Sequence, residues 1–142
     1  MPVAQGGHTS LGHSSELWTL NPDTAGDGAA ASWAKVQPSS SRPLPSLFGA
    51  VALPLPSLGG GRGFLVFGGS VAYGLASDKA YHYDEDVNCW AELAVDSGGA
   101  GSPSARFQLA GLSSGETTVT VMGGRDFGED LSDLWRCDIQ LA

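Results

Sequence analysis

The fold class the sequence predicts is all-β, built from a repeated antiparallel unit, and three observations carry that expectation. Double glycines recur at Gly6-Gly7, Gly68-Gly69 and Gly123-Gly124, 62 and 55 residues apart. Each is followed within nine to thirteen residues by an aromatic segment of strand character: Glu16-Leu17-Trp18, Lys79-Ala80-Tyr81 and Asp133-Leu134-Trp135. No long window holds a sustained 3.6-residue apolar period, so no helix is expected. Glycine, at 21 of 142 residues, is about twice its usual share without a G-X-Y period, which suits short strands joined by tight turns.

Three units follow in order. The first, 6–36, opens on Gly6-Gly7 and carries a strand around Trp18 and another from Trp33 to Val36. Beginning at its glycines, it is expected to lack two strands. The second, 45–93, is complete, with strands expected at 48–53, 63–67, 79–84 and 89–93, the last holding Trp90. Its first two strands are joined by 54–62, which ends in Gly59-Gly60-Gly61. The apolar run Phe64-Leu65-Val66-Phe67 closes on Gly68-Gly69, as Val119-Thr120-Val121-Met122 closes on Gly123-Gly124. The third unit, 103–141, turns at Ser113-Ser114-Gly115-Glu116, a compact hairpin signal, and stops after its Trp135 strand. Ser and an acidic residue precede each aromatic strand, in Ser15-Glu16, Ser77-Asp78 and Ser132-Asp133.

Apolar run, double glycine, aromatic strand and Trp strand in this order resemble the kelch repeat, over nearly the whole chain. The spacing exceeds the repeat's usual period of about 50 residues, so long linkers are expected. The resemblance implies antiparallel four-stranded kelch-type β-propeller blades in an incomplete ring of about two and a half blades and roughly nine strands. It makes Gly6, Gly7, Trp18, Trp33, Gly68, Gly69, Tyr81, Trp90, Gly123, Gly124 and Trp135 structural, with the bare glycines receiving an aromatic side chain of a neighbouring strand. An Arg before the first strand is frequent in the family. Pro103-Ser104-Ala105-Arg106 before Phe107 fits that pattern, whereas Pro45-Ser46-Leu47 before Phe48 has Leu there. Closed propellers need about 4–8 blades. The expectation is therefore a fragment of a longer protein, a chain that self-associates through exposed blade edges, or a partial propeller without independent function.

Charge narrows the function classes. A net charge of −8 with only seven Lys and Arg opposes the phosphate contacts that nucleic-acid binding needs, so no nucleic acid is expected. No stretch approaches the about 20 apolar residues of a spanning helix, so no membrane is expected either. The segment from Met1 to His8 lacks the features of a secretory signal. Cys89 and Cys137 are isolated and expected to be reduced, which places the chain in the cytoplasm or nucleus.

Catalytic and metal motifs are sought without success. Asp84-Glu85-Asp86-Val87-Asn88 matches the start of a calcium loop, but Cys89 stands where Gly is needed and Val95 where a bidentate Glu is needed. The segment reads as an acidic turn. His8, His13 and His82 have no partners at zinc spacing, and no G-x-S-x-G elbow occurs. No catalytic residue, metal or cofactor is expected. Copper oxidases of the galactose oxidase type and specifier proteins are kelch-like enzymes and form the alternative, but Tyr73, Tyr81, Tyr83 and the three histidines fall into no motif that supports it.

The leading expectation is a protein-interaction scaffold that presents loops from one propeller face to a partner of unknown identity. Loops between second and third strands, and between units, share that face, and loops on a rigid scaffold carry binding residues disproportionately. Tyr73, Arg106, Arg125 and Phe127 are the candidate binding residues, being of types that anchor interfaces. The bland alternative tucks Phe127 under its own loop and pairs Arg125 with Asp126 or Asp130.

Overall fold

The computed structural model describes residues 3–23, 30–39, 44–95 and 99–140. Leu141, the end expected for the third unit, lies outside them. The described residues form β-strands and turns and contain no helix, hence none long and apolar enough to cross a membrane.

The first sheet has the order β1-β4-β5, from β1 (Val3–Gln5), β4 (Leu17–Asp23) and β5 (Ala30–Val36). A small hairpin, β2 (His8–Thr9) and β3 (Gly12–His13), lies between β1 and β4. The second sheet is a four-stranded antiparallel meander of β6 (Val51–Pro54), β7 (Gly63–Phe67), β10 (Ala80–Asp84) and β11 (Cys89–Leu93). A second small hairpin, β8 (Ser70–Ala72) and β9 (Leu75–Ala76), follows its glycine pair. The third sheet has the order β12-β13-β14, from β12 (Ala110–Ser114), β13 (Thr118–Met122) and β14 (Leu134–Asp138). All are antiparallel, and they do not close into a barrel among the described residues.

Two details differ from the sequence expectation. Val3–Gln5 pairs with β4, so the first unit starts before Gly6 and has three strands, not two. The three sheets thus hold ten strands rather than nine, and two small hairpins are added. A three-residue strand at the chain's start carries too little alternation to be read as one.

Each glycine pair makes the same backbone contacts. Gly6, Gly68 and Gly123 donate N–H to the carbonyls of Glu16, Lys79 and Asp133 at 3.0–3.1 Å, tying the end of one strand to the start of the next. Gly7 N–H reaches Leu47 O at 2.9 Å, and Gly69 N–H reaches Arg106 O at 2.8 Å. In return, Leu47 N–H donates to Ser14 O and Arg106 N–H to Ser77 O. These bonds join one unit to the next. At Gly68, with φ of +73°, a Cβ would stand 2.7 Å from Arg106 O, so the pair admits a backbone carbonyl of the following unit. That replaces the aromatic side chain expected there. Carbonyls approach because Gly removes both the Cβ and the penalty of positive φ.

The contacts also correct the alignment. Ser14, Ser77 and Leu131 each donate N–H to the second glycine's carbonyl, so Ser77 matches Ser14 and Lys79, not Asp78, matches Glu16. The middle unit has one residue more between glycine and aromatic strand, and the register shift between Ser70 and Ala72 absorbs it.

Two cores separate the sheets. Leu17, Leu44, Leu47, Phe64, Val66, Tyr83 and Trp90 fill the first, where the rings of Phe64, Tyr83 and Trp90 lie 5.1–5.4 Å apart. Leu53, Leu55, Leu65, Phe67, Ala80, Val119 and Val121 fill the second. Because alternate residues of a strand face opposite sides, β7 is apolar throughout: Phe64 and Val66 serve one core, Leu65 and Phe67 the other. In β13 only Val119 and Val121 are buried, since one of its faces is bare.

Candidate functional site: an aromatic ridge across the glycine end

The small hairpins and the residues entering the first strands meet at one end of the sheets. After the third glycine pair an equivalent turn forms, with bridges from Arg125 to Phe107 and to Asp130. Rings from all three units touch in sequence along this end. Tyr73 lies 6.0 Å from Phe127, Phe127 4.8 Å from Phe107, Phe107 6.5 Å from Phe48, and Phe48 5.9 Å from His13. His8 closes the row at 5.3 Å from His13 and 5.7 Å from Phe48. Exposure is least at Phe107, which is buried, and rises through half-buried Phe48 and His13 to exposed His8 on one side, and through Phe127, 44% exposed, to Tyr73, 99% exposed at its hairpin tip, on the other.

Charges flank the Tyr73–Phe127 end. Arg125 Nε stands 3.5 Å from Asp130 Oδ1, with both side chains largely in solvent. Asp126 Oδ1 accepts N–H bonds from Gly128 at 2.6 Å and Glu129 at 2.7 Å. Those bonds, Glu129's first, hold its carboxyl below the usual carboxylate range. With Arg125 matched by Asp130, Asp126 and Glu129 leave the end of the ridge net acidic.

Three of the four candidate binding residues, Tyr73, Arg125 and Phe127, therefore come together. Phe127 leans on Phe107 yet stays exposed, and Arg125 is paired with Asp130. Arg106 does not join them. It is fully buried and donates to Asp133 Oδ1 at 2.5 Å and Oδ2 at 2.9 Å, to Gly123 O at 3.0 Å and to Ser104 O and Oγ. A guanidinium so enclosed clamps the third sheet's entrance to its own β14 and presents nothing to a partner. Leu47 holds the same backbone position one unit earlier and is also buried, so the site takes either an apolar side chain or a fully paired cation.

Asp133 also accepts the indole N–H of Trp135 at 2.6 Å, and Glu16 accepts that of Trp18 at 3.1 Å. Lys35 pairs with Glu16 and lies 5.8 Å from the Trp18 ring. The acid two residues before the aromatic thus appears where the aromatic is Trp and becomes Lys79 where it is Tyr81, because Tyr has no indole donor. Of the remaining repeat residues, Trp90 is core and Trp33 is 54% exposed. The acidic segment forms the turn after β10: Asp84 Oδ1 accepts N–H bonds from Asp86 and Val87. Among the described residues no group of three or more His, Cys, Asp or Glu is placed to hold a metal ion.

Sequence reasoning missed Phe48, Phe107 and the two histidines of the ridge. Phe48 and Phe107 directly follow the matched residues Leu47 and Arg106, and that shared position was the available signal.

No family model and no curated protein matches the chain. Its fold is similar to that of a chain in the cryo-EM structure of RAG in complex with one melted RSS and one unmelted RSS, with a TM-score of 0.67 and 16% identity. The match covers 97% of this chain and 46% of that one, so the chain spans less than half of its structural neighbour. At this identity the likeness concerns the fold alone, an all-β arrangement of packed antiparallel sheets.

Proposed function

We propose that the chain is part of a kelch-type β-propeller, its three sheets serving as blades, and that it acts as a protein-interaction scaffold through the ridge. Supporting the blade reading are the identical glycine contacts in successive units and the order of the complete four-stranded sheet. The continuous row of rings ending in exposed Tyr73 and Phe127 carries the functional reading. Contiguous exposed aromatic side chains, unlike singly scattered ones, mark interaction surfaces, and buried aromatic anchors dominate interface energetics.

The surrounding chemistry describes the partner. It offers an apolar anchor to cover Tyr73 and Phe127, with basic side chains toward Asp126 and Glu129. The net charge of −8 would steer such a basic surface and make association salt-sensitive.

Selection of ligands from a random peptide display library against the whole chain tests this. The strongest ligands should carry an apolar residue beside Lys or Arg, and should bind the Tyr73→Ala/Phe127→Ala variant about tenfold or more weakly. Ligands that bind the variant as tightly as the parent chain would place recognition elsewhere.

A further inference from the structure

Among the described residues the first sheet leaves open a strand position that the other two sheets fill. With Gly6 matched to Gly68, β1 corresponds to β7, and β7 pairs on its far side with β6, Val51 opposite Phe67 and Leu53 opposite Leu65. In the third sheet β12 pairs likewise with β13. Among the described residues β1 has no such neighbour and is the edge of its sheet. Beside it runs a groove of about 790 Å³, lined by Val3, Gln5, Thr19 and Val36 on one side and Ala52 and Phe64 among others on the opposite side.

Two further observations point to what the groove takes. At the second junction, Gly111 of β12 lies against Val51 and Leu53 of β6: a Cβ there would stand 3.1 Å from a side-chain methyl of each. Ala52 holds the position of Gly111 one unit earlier, yet it is exposed. The two apolar side chains that would cover it are those of the open strand position. In addition, Gln5 Nε2 is buried and has no partner among the described residues, a desolvated donor that lines this groove.

We infer that the groove binds an extended peptide segment, which adds antiparallel to β1 as a fourth strand and sets two apolar side chains, either side of the residue opposite Ala4, onto Ala52. Main-chain pairing supplies the affinity and alternate side chains the selectivity, as in other strand-addition sites. The free edge and apolar trough suit a strand better than a compact ligand, because unpaired N–H and C=O groups template one.

The chain's own β6 supplies the probe. A labelled peptide with the sequence of residues 47–55, flanked by solubilising lysines, should bind the whole chain saturably in fluorescence anisotropy. A scrambled peptide with the same lysines should not. Methylating alternate backbone nitrogens of the probe should weaken binding about tenfold or more, since those nitrogens can no longer donate. Ala52→Trp, a change at an exposed position, should fill the trough and weaken it similarly. Absence of saturable binding, or equal binding of the scrambled or N-methylated peptide, would overturn the inference. Self-association that the peptide does not dissociate would assign the edge to a second copy and overturn it too.

Discussion

At Gly68 one hydrogen atom in place of a methyl group decides how two units meet. The residue sits at φ +73° with Arg106 O at 2.7 Å from the place a Cβ would occupy, and its immovable neighbour is backbone. Gly115 shares the positive φ, at +65°, but nothing lies within 4 Å of it. The two therefore separate conformational strain from collision. Gly115→Ala should cost about 1 kcal/mol, the lower range for a non-glycine residue in this region. Gly68→Ala should exceed about 2 kcal/mol because strain and the carbonyl clash add. Urea unfolding of both variants measures the difference, and equal losses would mean that the close approach to Arg106 does not matter.

At the scale of elements, the Arg106–Asp133 pair links the entry of β12 to the start of β14. Its partners are unequal: the Arg106 side chain is 1% exposed and that of Asp133 43%. The two hydrogen bonds from Arg106, and then that from Trp135, hold the Asp133 carboxyl well below the usual carboxylate range. A group depressed in the folded state stabilises fully above its unfolded value of about 3.9 and loses that contribution as pH falls toward the folded value. Asp133→Asn removes the charge that balances a buried guanidinium. It should cost about 2 kcal/mol near neutral pH, below the about 3–5 kcal/mol of a wholly buried pair because Asp133 is partly hydrated. Between about pH 5 and pH 2 the parent chain should then lose more stability than the variant. Parallel curves for the two in pH-dependent denaturation would show that the pair contributes little.

The elements also show how much of the site could be read in advance. Aromatic segments, glycine pairs and the hairpin at Gly115 are local signals, and the strands they mark fall within a few residues of their expected places. β7 and β13 differ in the same legible way, one apolar throughout and one alternating, and this reports how many of their faces are covered. The role of Arg106 was not legible. An Arg before a strand looks the same in sequence whether it reaches solvent or a carboxylate 27 residues later, and the fold chose the latter. The aromatic ridge likewise joins residues from 8 to 127 whose only local signal is a Phe entering each first strand.

For the molecule as a whole, the second sheet is covered on both faces, while among the described residues the first and third each leave one bare. Val66 and Tyr83 are buried at the centre, whereas β5 and β14 are exposed along most of their length. Opening of the outer sheets should therefore be easier than global unfolding. Native-state hydrogen exchange should find the slowest amides in β7 and β10 and the fastest sheet amides in β5 and β14. Uniform protection across the three sheets would mean that they open as one unit. The bare outer face of the third sheet, with Leu112, Met122 and Leu134 each more than half exposed, matches the face of the second sheet that packs on the third.

The sequence by itself determined the repeat, the strand class and the places where the chain must turn. These rest on short-range physics: positive φ at paired glycines, two-residue alternation, and turn residues between apolar runs. Tertiary structure decided the rest. It drew β1 out of an unremarkable tripeptide by pairing it with β4, replaced an aromatic contact at the glycines with a carbonyl of the next unit, enclosed Arg106, and set Tyr73 beside Phe127. Each of these depends on which distant backbone or side chain arrives at a given point, and local pattern carries no record of that meeting.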